Sequence, residues 1–210
     1  LCNQIQPHFL FTALNTIHLL IKTDQSEEAV QSMAMLATLL RGMVNAGREI
    51  SLRAEMKLVE SYLSLQQKRY RGLQYTLPDV TAWETYLLPA LTIQPIVENA
   101  LVHGCEPKRG GAQITVTLEE TADALLLCVQ DNGLGMEEEK ERHLQEALAQ
   151  STFDPEKQEG GVGLVNIARR VQLRFGPEYG LRFETKRGQG TCVTLRLPPK
   201  GEAYVPRIDR

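Results

Sequence analysis

The apolar residues of this chain change their spacing at Gly72, and that switch restricts the folds open to it. Upstream, Leu10, Leu14, Ile17 and Ile21 recur on one helix face, and Ala29, Met33, Leu36, Leu40 and Met43 do so again after a polar turn. Ser26 with Glu27 and Glu28 suits the start of the second helix, where a side-chain oxygen and negative charge meet free N–H groups. Asn45-Ala46-Gly47 suits its end. Two such helices with a short loop predict an antiparallel hairpin. A third helix follows from Ser51, with Leu52, Met56, Val59 and Leu63 on one side.

Downstream the texture is short strands and turns. Leu73 to Leu77 reads as a strand, Ile114 to Leu118 and Leu125 to Gln130 as an antiparallel pair, and Leu181 to Thr185 with Thr191 to Leu197 as a hairpin around Gly188 and Gly190. Pro89 to His103 and Gly163 to Phe175 read as helices. Glu137 to Gly160 is acidic and weakly patterned, the texture of a mobile segment. The expected class is α+β: an N-terminal helical hairpin, then an α/β sandwich with helices on one face of a mixed sheet. The expected divisions are a helical region 1–71, a sheet-bearing domain 72–199 and a tail 200–210.

A chain of 210 residues, 42% hydrophobic, can bury one ordinary core with a small helical appendage. A net charge of -3 gives no general attraction to nucleic acid or anionic lipid, so any phosphate binding must be local. Cys2, Cys105, Cys128 and Cys192 are far apart in sequence, without the close pairs of a zinc or redox site, and read as reduced thiols that mostly pack. No apolar run approaches the roughly 20 residues that cross a bilayer, and no secretory signal is present. The chain begins at Leu1 inside what reads as a continuing helix, as a fragment would.

Three segments carry chemistry. In Gln94-Pro95-Ile96-Val97-Glu98-Asn99-Ala100-Leu101-Val102-His103-Gly104, Asn99 and His103 fall one turn apart on a helix face with Glu98 adjacent. An amide oxygen can ligate Mg²⁺, a carboxylate can take a proton, and an imidazole can meet phosphate or water; alone, the three are an ordinary solvated face. Asp131-Asn132-Gly133-Leu134-Gly135 leaves a strand directly. Its carboxylate can accept from an exocyclic amine, and its glycines allow close ligand approach; alone, it is a glycine turn. Gly160-Gly161-Val162-Gly163-Leu164 opens a helix with bare N–H groups suited to a phosphate chain, or is a plain loop-to-helix junction.

In this order, with Gly190-Thr191 on a late strand, the boxes resemble the Bergerat-type (GHKL) ATP-binding fold of histidine kinases, type II topoisomerases, Hsp90 chaperones and MutL repair proteins. No Walker-type Gly-Lys-Ser/Thr loop is present. The resemblance implies ATP and Mg²⁺ as cofactors. Asn99 would hold Mg²⁺, Asp131 would read the adenine amine, and Gly133 and Gly135 would shape that floor. Gly161, Gly163 and Leu164 would line the phosphates under a lid within Glu137 to Gly160. Thr191 would support Asp131 through water, and His103 would lie on the nucleotide side of its helix. Lys108 and Arg109 either steer phosphates or form a solvated basic turn, and Arg169 and Arg170 divide between nucleotide contact and surface.

Gln4-Ile5-Gln6-Pro7-His8-Phe9-Leu10-Phe11 with Leu14-Asn15 looks like the phospho-acceptor segment of LytS/YehU-type sensor histidine kinases. So do Tyr62-Leu63 with Gln66 and Arg69, and Pro89-Leu91-Gln94-Pro95. At about 100° per residue, Gln4, His8, Thr12 and Asn15 form a polar arc roughly opposite Leu10, Leu14, Ile17 and Ile21, so His8 is expected to face outward. His18 and His143 read as surface residues, Trp83 and Tyr86 as packing. The resemblance implies that His8 accepts the γ-phosphoryl group and passes it to an aspartate of a response regulator receiver domain. It further implies a homodimer burying Leu10, Leu14, Leu36 and Leu40, and membrane attachment through an upstream sensor, this part being cytoplasmic.

The sequence departs from the family pattern at two positions. Many histidine kinases place an acid directly after the histidine; here it is Phe9, leaving Glu98 as the candidate base. Thr12 stands where the LytS-type pattern usually has Asn, and a hydroxyl there could orient water for a reverse, phosphatase role. The rival readings are a non-catalytic nucleotide-binding scaffold, and an ATPase or Ser/Thr protein kinase of the same fold.

Overall fold

The computed structural model describes residues 7–44, 48–70, 72–105, 111–149 and 162–200. Helices α1 (Pro7–Lys22) and α2 (Ser26–Val44) form the expected hairpin, and α3 (Leu52–Arg69) packs beside them. The Ser51 hydroxyl caps α3, accepting from the Ala54 N–H at 3.2 Å. A five-stranded sheet then runs in the order β2 (Gln74–Thr76), β4 (Gln113–Glu120), β5 (Leu125–Asp131), β7 (Gly190–Leu197), β6 (Gly180–Lys186). β2 is parallel to β4, and the other neighbours are antiparallel, so the sheet is mixed. The fold class is α+β, as the change in hydrophobic spacing predicts.

Alternation along the central strands shows which face holds the core. Leu125, Leu127 and Val129 of β5 and Val193, Leu195 and Leu197 of β7 are buried, beneath α4 (Gln94–Asn99) and α6 (Val162–Phe175). The opposite face carries Leu126, Cys128, Gln130, Cys192, Thr194 and Arg196, all at least partly exposed. There Cys128 and Cys192 form a disulfide, with their Cα atoms 6.4 Å apart. This corrects the reading of reduced thiols: 64 residues separate the pair, and only the β5–β7 register makes them diagonal neighbours. Cys105 is a buried free thiol.

Three further features depart from the sequence expectations. The Pro89-to-His103 segment is not one helix. Its start is spent in β3 (Leu87–Pro89), which pairs antiparallel with β1 (Glu49–Ser51), and on a turn where Leu91 takes φ 59°. α4 begins only at Gln94, then widens into a π-helical coil over Ala100–Cys105. Part of the acidic segment read as mobile is α5 (Glu138–Ala149), anchored by buried Leu144 against α6.

The apolar stripes of α1 and α2 also split. Ile17, Leu20, Ala29 and Leu36 are buried, whereas Leu14, Ile21, Met33 and Leu40 stay exposed. The hairpin therefore meets α3 through a face rotated from the expected one. No described helix is long and apolar enough to cross a membrane.

α3 belongs to both halves of the molecule. Leu52, Met56, Val59, Tyr62 and Leu63 share one hydrophobic cluster with Ile93, Ile96 and Val97 around α4. The Leu52 N–H donates to the Tyr86 carbonyl at 2.8 Å and the Ala90 N–H to the Arg48 carbonyl at 2.9 Å, so the β1–β3 ribbon stitches the two together. Tyr86 is packing, as expected, with its hydroxyl donating to the Pro198 carbonyl at 2.8 Å.

The register makes opposite demands on two adjacent leucines. Leu127→Ala, in the core, is expected to cost about 2–5 kcal/mol in urea unfolding, and Leu126→Ala, on the open face, about 1 kcal/mol or less. Equal losses would contradict the register.

Candidate functional site

β5 ends in Asp131, a carboxylate only 4% exposed. Its Oδ1 accepts the Gly133 N–H at 2.8 Å, closing an Asx turn that leads the chain out of the sheet. The Asn132 side chain turns the other way, with its Oδ1 accepting from the Gln113 N–H at 2.9 Å and its Nδ2 donating to the Gly111 carbonyl at 2.8 Å. The turn is thereby fixed on both sides.

The π-helical coil closes over this carboxylate. At Gly104 a Cβ would lie 2.5 Å from Asp131 Oδ1, and at Gly133 a Cβ would lie 1.9 Å from the Gly104 carbonyl oxygen. Both positions exclude any side chain. The Leu134 N–H donates to the same Gly104 carbonyl at 3.2 Å, and Leu134 in turn accepts from the Gly188 N–H at 2.7 Å. In the sequence Gly104 is marked only by its place directly after a helical histidine. Thr185 is a further residue of this end that no sequence motif marks. Its hydroxyl accepts from the Met136 N–H at 2.9 Å and lies 3.0 Å from the Thr191 hydroxyl, across the β6–β7 pair. Thr191 is thus buried beside a second hydroxyl one strand away.

The helical segment that ends in Asn99 lies beside the glycine box. At Gly163, the second residue of α6, a Cβ would lie 3.7 Å from the Asn99 amide nitrogen, so the part-buried Asn99 faces the start of that helix. Glu98 beside it accepts from Gln94 Nε2 at 3.4 Å, and burial pushes its carboxyl up to about 7. His103, in the widened coil, is exposed. Leu164 is buried in the core, while Gly135 adopts φ 70° against the Lys186 carbonyl.

Arg170 takes neither expected role, donating instead to the Leu91 carbonyl and, at 3.5 Å, to the Thr92 hydroxyl. His18 and His143 are exposed. Lys108, Arg109 and Gly161 lie outside the described residues, as do the side chains of His8 and Thr12, whose backbone lies in α1.

Asn99, Gly163, Asp131, Gly133 and Thr191 therefore come from four separate sequence stretches to one end of the sheet. That arrangement combines an amide oxygen, a helix N-terminus and a buried carboxylate, groups that suit a cation, a phosphate chain and an exocyclic amine respectively.

Two outcomes follow from this geometry. Gly104→Ala must displace the Asp131 carboxylate and is expected to cost about 1–3 kcal/mol in denaturant unfolding. For Glu98, the folded carboxyl keeps its proton to about 7 and the unfolded one only to about 4.5, so the folded state binds more protons between those values. Stability should accordingly fall as pH rises from 4.5 to about 7, and Glu98→Gln should remove that part of the slope. Unfolding curves of both proteins across the window check it.

Comparison with known proteins agrees with this layout. Residues 88–201 match the family described as histidine kinase-, DNA gyrase B- and HSP90-like ATPase, and residues 1–73 match the histidine kinase family. The chain is 30% identical to sensor histidine kinase YesM of Bacillus subtilis, over 95% of this chain and 33% of that protein. It is 34% identical to the sensor protein LytS of Bacillus cereus, over 94% of this chain and 33% of that one. It thus spans about a third of the length of each of these two relatives. Among solved structures, the histidine kinase domain of a blue-light activated kinase from Erythrobacter litoralis superposes with a TM-score of 0.49 at 17% identity, covering 95% of this chain and 91% of that one. The chain belongs to the histidine kinase-, DNA gyrase B- and HSP90-like ATPase family, and within it to the LytS-type sensor histidine kinases.

Proposed function

We propose that this chain binds Mg-ATP at the Asn99–Asp131 end of the sheet, autophosphorylates His8, and passes the phosphoryl group to an aspartate of a response regulator receiver domain. The observation that carries the reading is the convergence of Asn99, at the end of α4, on Gly163 in the first turn of α6. A helix start with a glycine in its first turn suits the phosphate chain, and the amide suits the cation that accompanies it.

Among the described residues no group of three His, Cys, Asp or Glu side chains gathers to hold a metal. A divalent ion is therefore assigned to Asn99 together with the phosphate oxygens, where it would spread the charge that develops on phosphoryl transfer. Asp131 accepts from the adenine amine, since a carboxylate has acceptor capacity well beyond its bond to Gly133. Gly133 and Gly135 form the floor there, Thr191 supports it, and Gly161 with Leu164 completes the phosphate box. His103 is assigned to the nucleotide, and Lys108 to steering its phosphates.

In the transfer, a neutral ring nitrogen of His8 attacks the γ-phosphorus. The new N–P bond forms as the bridging O–P bond to ADP breaks, and the ring proton leaves to a base. Glu98 is the assigned base because its carboxyl is poised near neutral pH beside Asn99. Thr12 is assigned the reverse role of orienting water toward the phosphorylated regulator.

The functional division proposed is 1–71 for phospho-acceptance and dimer contact, 72–199 for nucleotide, and 200–210 as a tail. A homodimer is supported by the exposed Leu14 and Ile21 of α1 and Met33 and Leu40 of α2, an apolar strip without a partner in the described chain. Membrane attachment through an upstream sensor rests on the relatives, which are named as sensor proteins.

Incubation of the full-length protein with γ-labelled ATP tests the reading. Acid-labile label is expected in the wild type and none in His8→Gln, with ATP binding retained. Acid-stable label would point to a hydroxyl acceptor, and binding without label to the scaffold reading that Phe9 supports.

A further inference from the structure

The turn that launches α4 is held by two ionisable side chains, buried Glu55 and half-buried Arg170, that take no part in the proposed reaction. Glu55, on α3 and 0% exposed, aims its carboxylate at this turn. It accepts from the Leu91 N–H at 3.0 Å, the Ile93 N–H at 2.8 Å and the Gln94 N–H at 3.3 Å. From the other side, Arg170 of α6 donates to the Leu91 carbonyl and the Thr92 hydroxyl.

Between them Leu91 holds φ 59°, a left-handed conformation that a branched apolar residue adopts only under constraint, at a cost of order 1–3 kcal/mol. Burial pushes the Glu55 carboxyl up, whereas the three N–H donors and the Arg170 guanidinium act in the opposite direction.

We infer that Glu55 is a positioning residue which sets, from α3, the placement of the short helix carrying Glu98 and Asn99. α4 has only six residues, so its first residue fixes where its last one lies. The connection is continuous. Glu55 takes the Gln94 N–H, the Gln94 side chain donates to Glu98, and Asn99 follows Glu98 at the point where it faces Gly163. The Asp131 end of the pocket has supports that lie off α4, the Gly133 N–H and the β5–β7 pair. Loss of Glu55 therefore acts on the cation and phosphate half of the site and spares the adenine half. A carboxylate that only stabilised the fold would weaken both halves together.

This rests on the nucleotide-binding reading above, and calorimetric titration separates the two. Wild type and Glu55→Gln are titrated with ATP in Mg²⁺, ATP in EDTA, and adenosine. The expected result is that the Mg²⁺-dependent gain in ATP affinity falls about tenfold in Glu55→Gln, in the range for residues that support a metal ligand, while adenosine affinity is unchanged. Equal loss of adenosine and Mg-ATP affinity, or no change in the Mg²⁺ gain, overturns the inference and leaves the nucleotide site standing. A wild type that binds none of the three overturns both. Should Glu55→Gln fail to fold, Arg170→Gln, acting on the same turn, decides by the same ratio: a reduced Mg²⁺ gain supports the inference and an unchanged one overturns it.

Discussion

The end of the sheet where β5 meets the π-helical coil is arranged around one buried carboxylate. Asp131 ends a central strand, and the backbone packs onto it so closely that two neighbouring positions, Gly104 and Gly133, have no room for a side chain. Burying an acid is costly without compensating hydrogen bonds, and the Gly133 N–H supplies one of them. The same contact brings the π-helical coil onto the sheet, so the fit around Asp131 also determines where the preceding helix ends. The side chain proposed to read the adenine amine thereby organises the local fold.

The other end of that helix is governed differently. There the backbone turn is secured by side chains from elements far away in sequence, Glu55 from α3 and Arg170 from α6. One helix is pinned to the sheet at its end and to two other helices at its start. α3 also packs against the α1–α2 hairpin, which places it between the phospho-acceptor helix and the nucleotide site.

Much of this was legible in the sequence, because the features concerned are local. All five strands of the main sheet follow from alternation, and the boxes at Asn99, Asp131 and Gly163 follow from residue type and spacing. What could not be read depends on partners distant along the chain. β1 and β3 are three-residue strands without a period of their own, visible only once they pair. Leu91 offers no turn signal, since its conformation is imposed by Glu55 and Arg170. Glu55 itself looks like any exposed acid on an amphipathic helix until the turn it caps is in place. The apolar stripes of α1 and α2 misled for a related reason: each helix has apolar residues on more than one face, and periodicity alone does not say which face α3 takes. Cys128 and Cys192 likewise became a pair only through strand register.

The β1–β3 ribbon has a consequence for how the molecule can be divided. Because β1 precedes α3 and β3 precedes α4, a cut at the change of texture near Gly72 separates a strand from its partner and uncovers Ile93, Ile96 and Val97. Half of a hydrogen-bonded ribbon and a strip of core would face water on the excised piece. The smallest autonomous nucleotide-binding unit should therefore begin before Glu49, within the helical region, so the border drawn by function is not a border of folding.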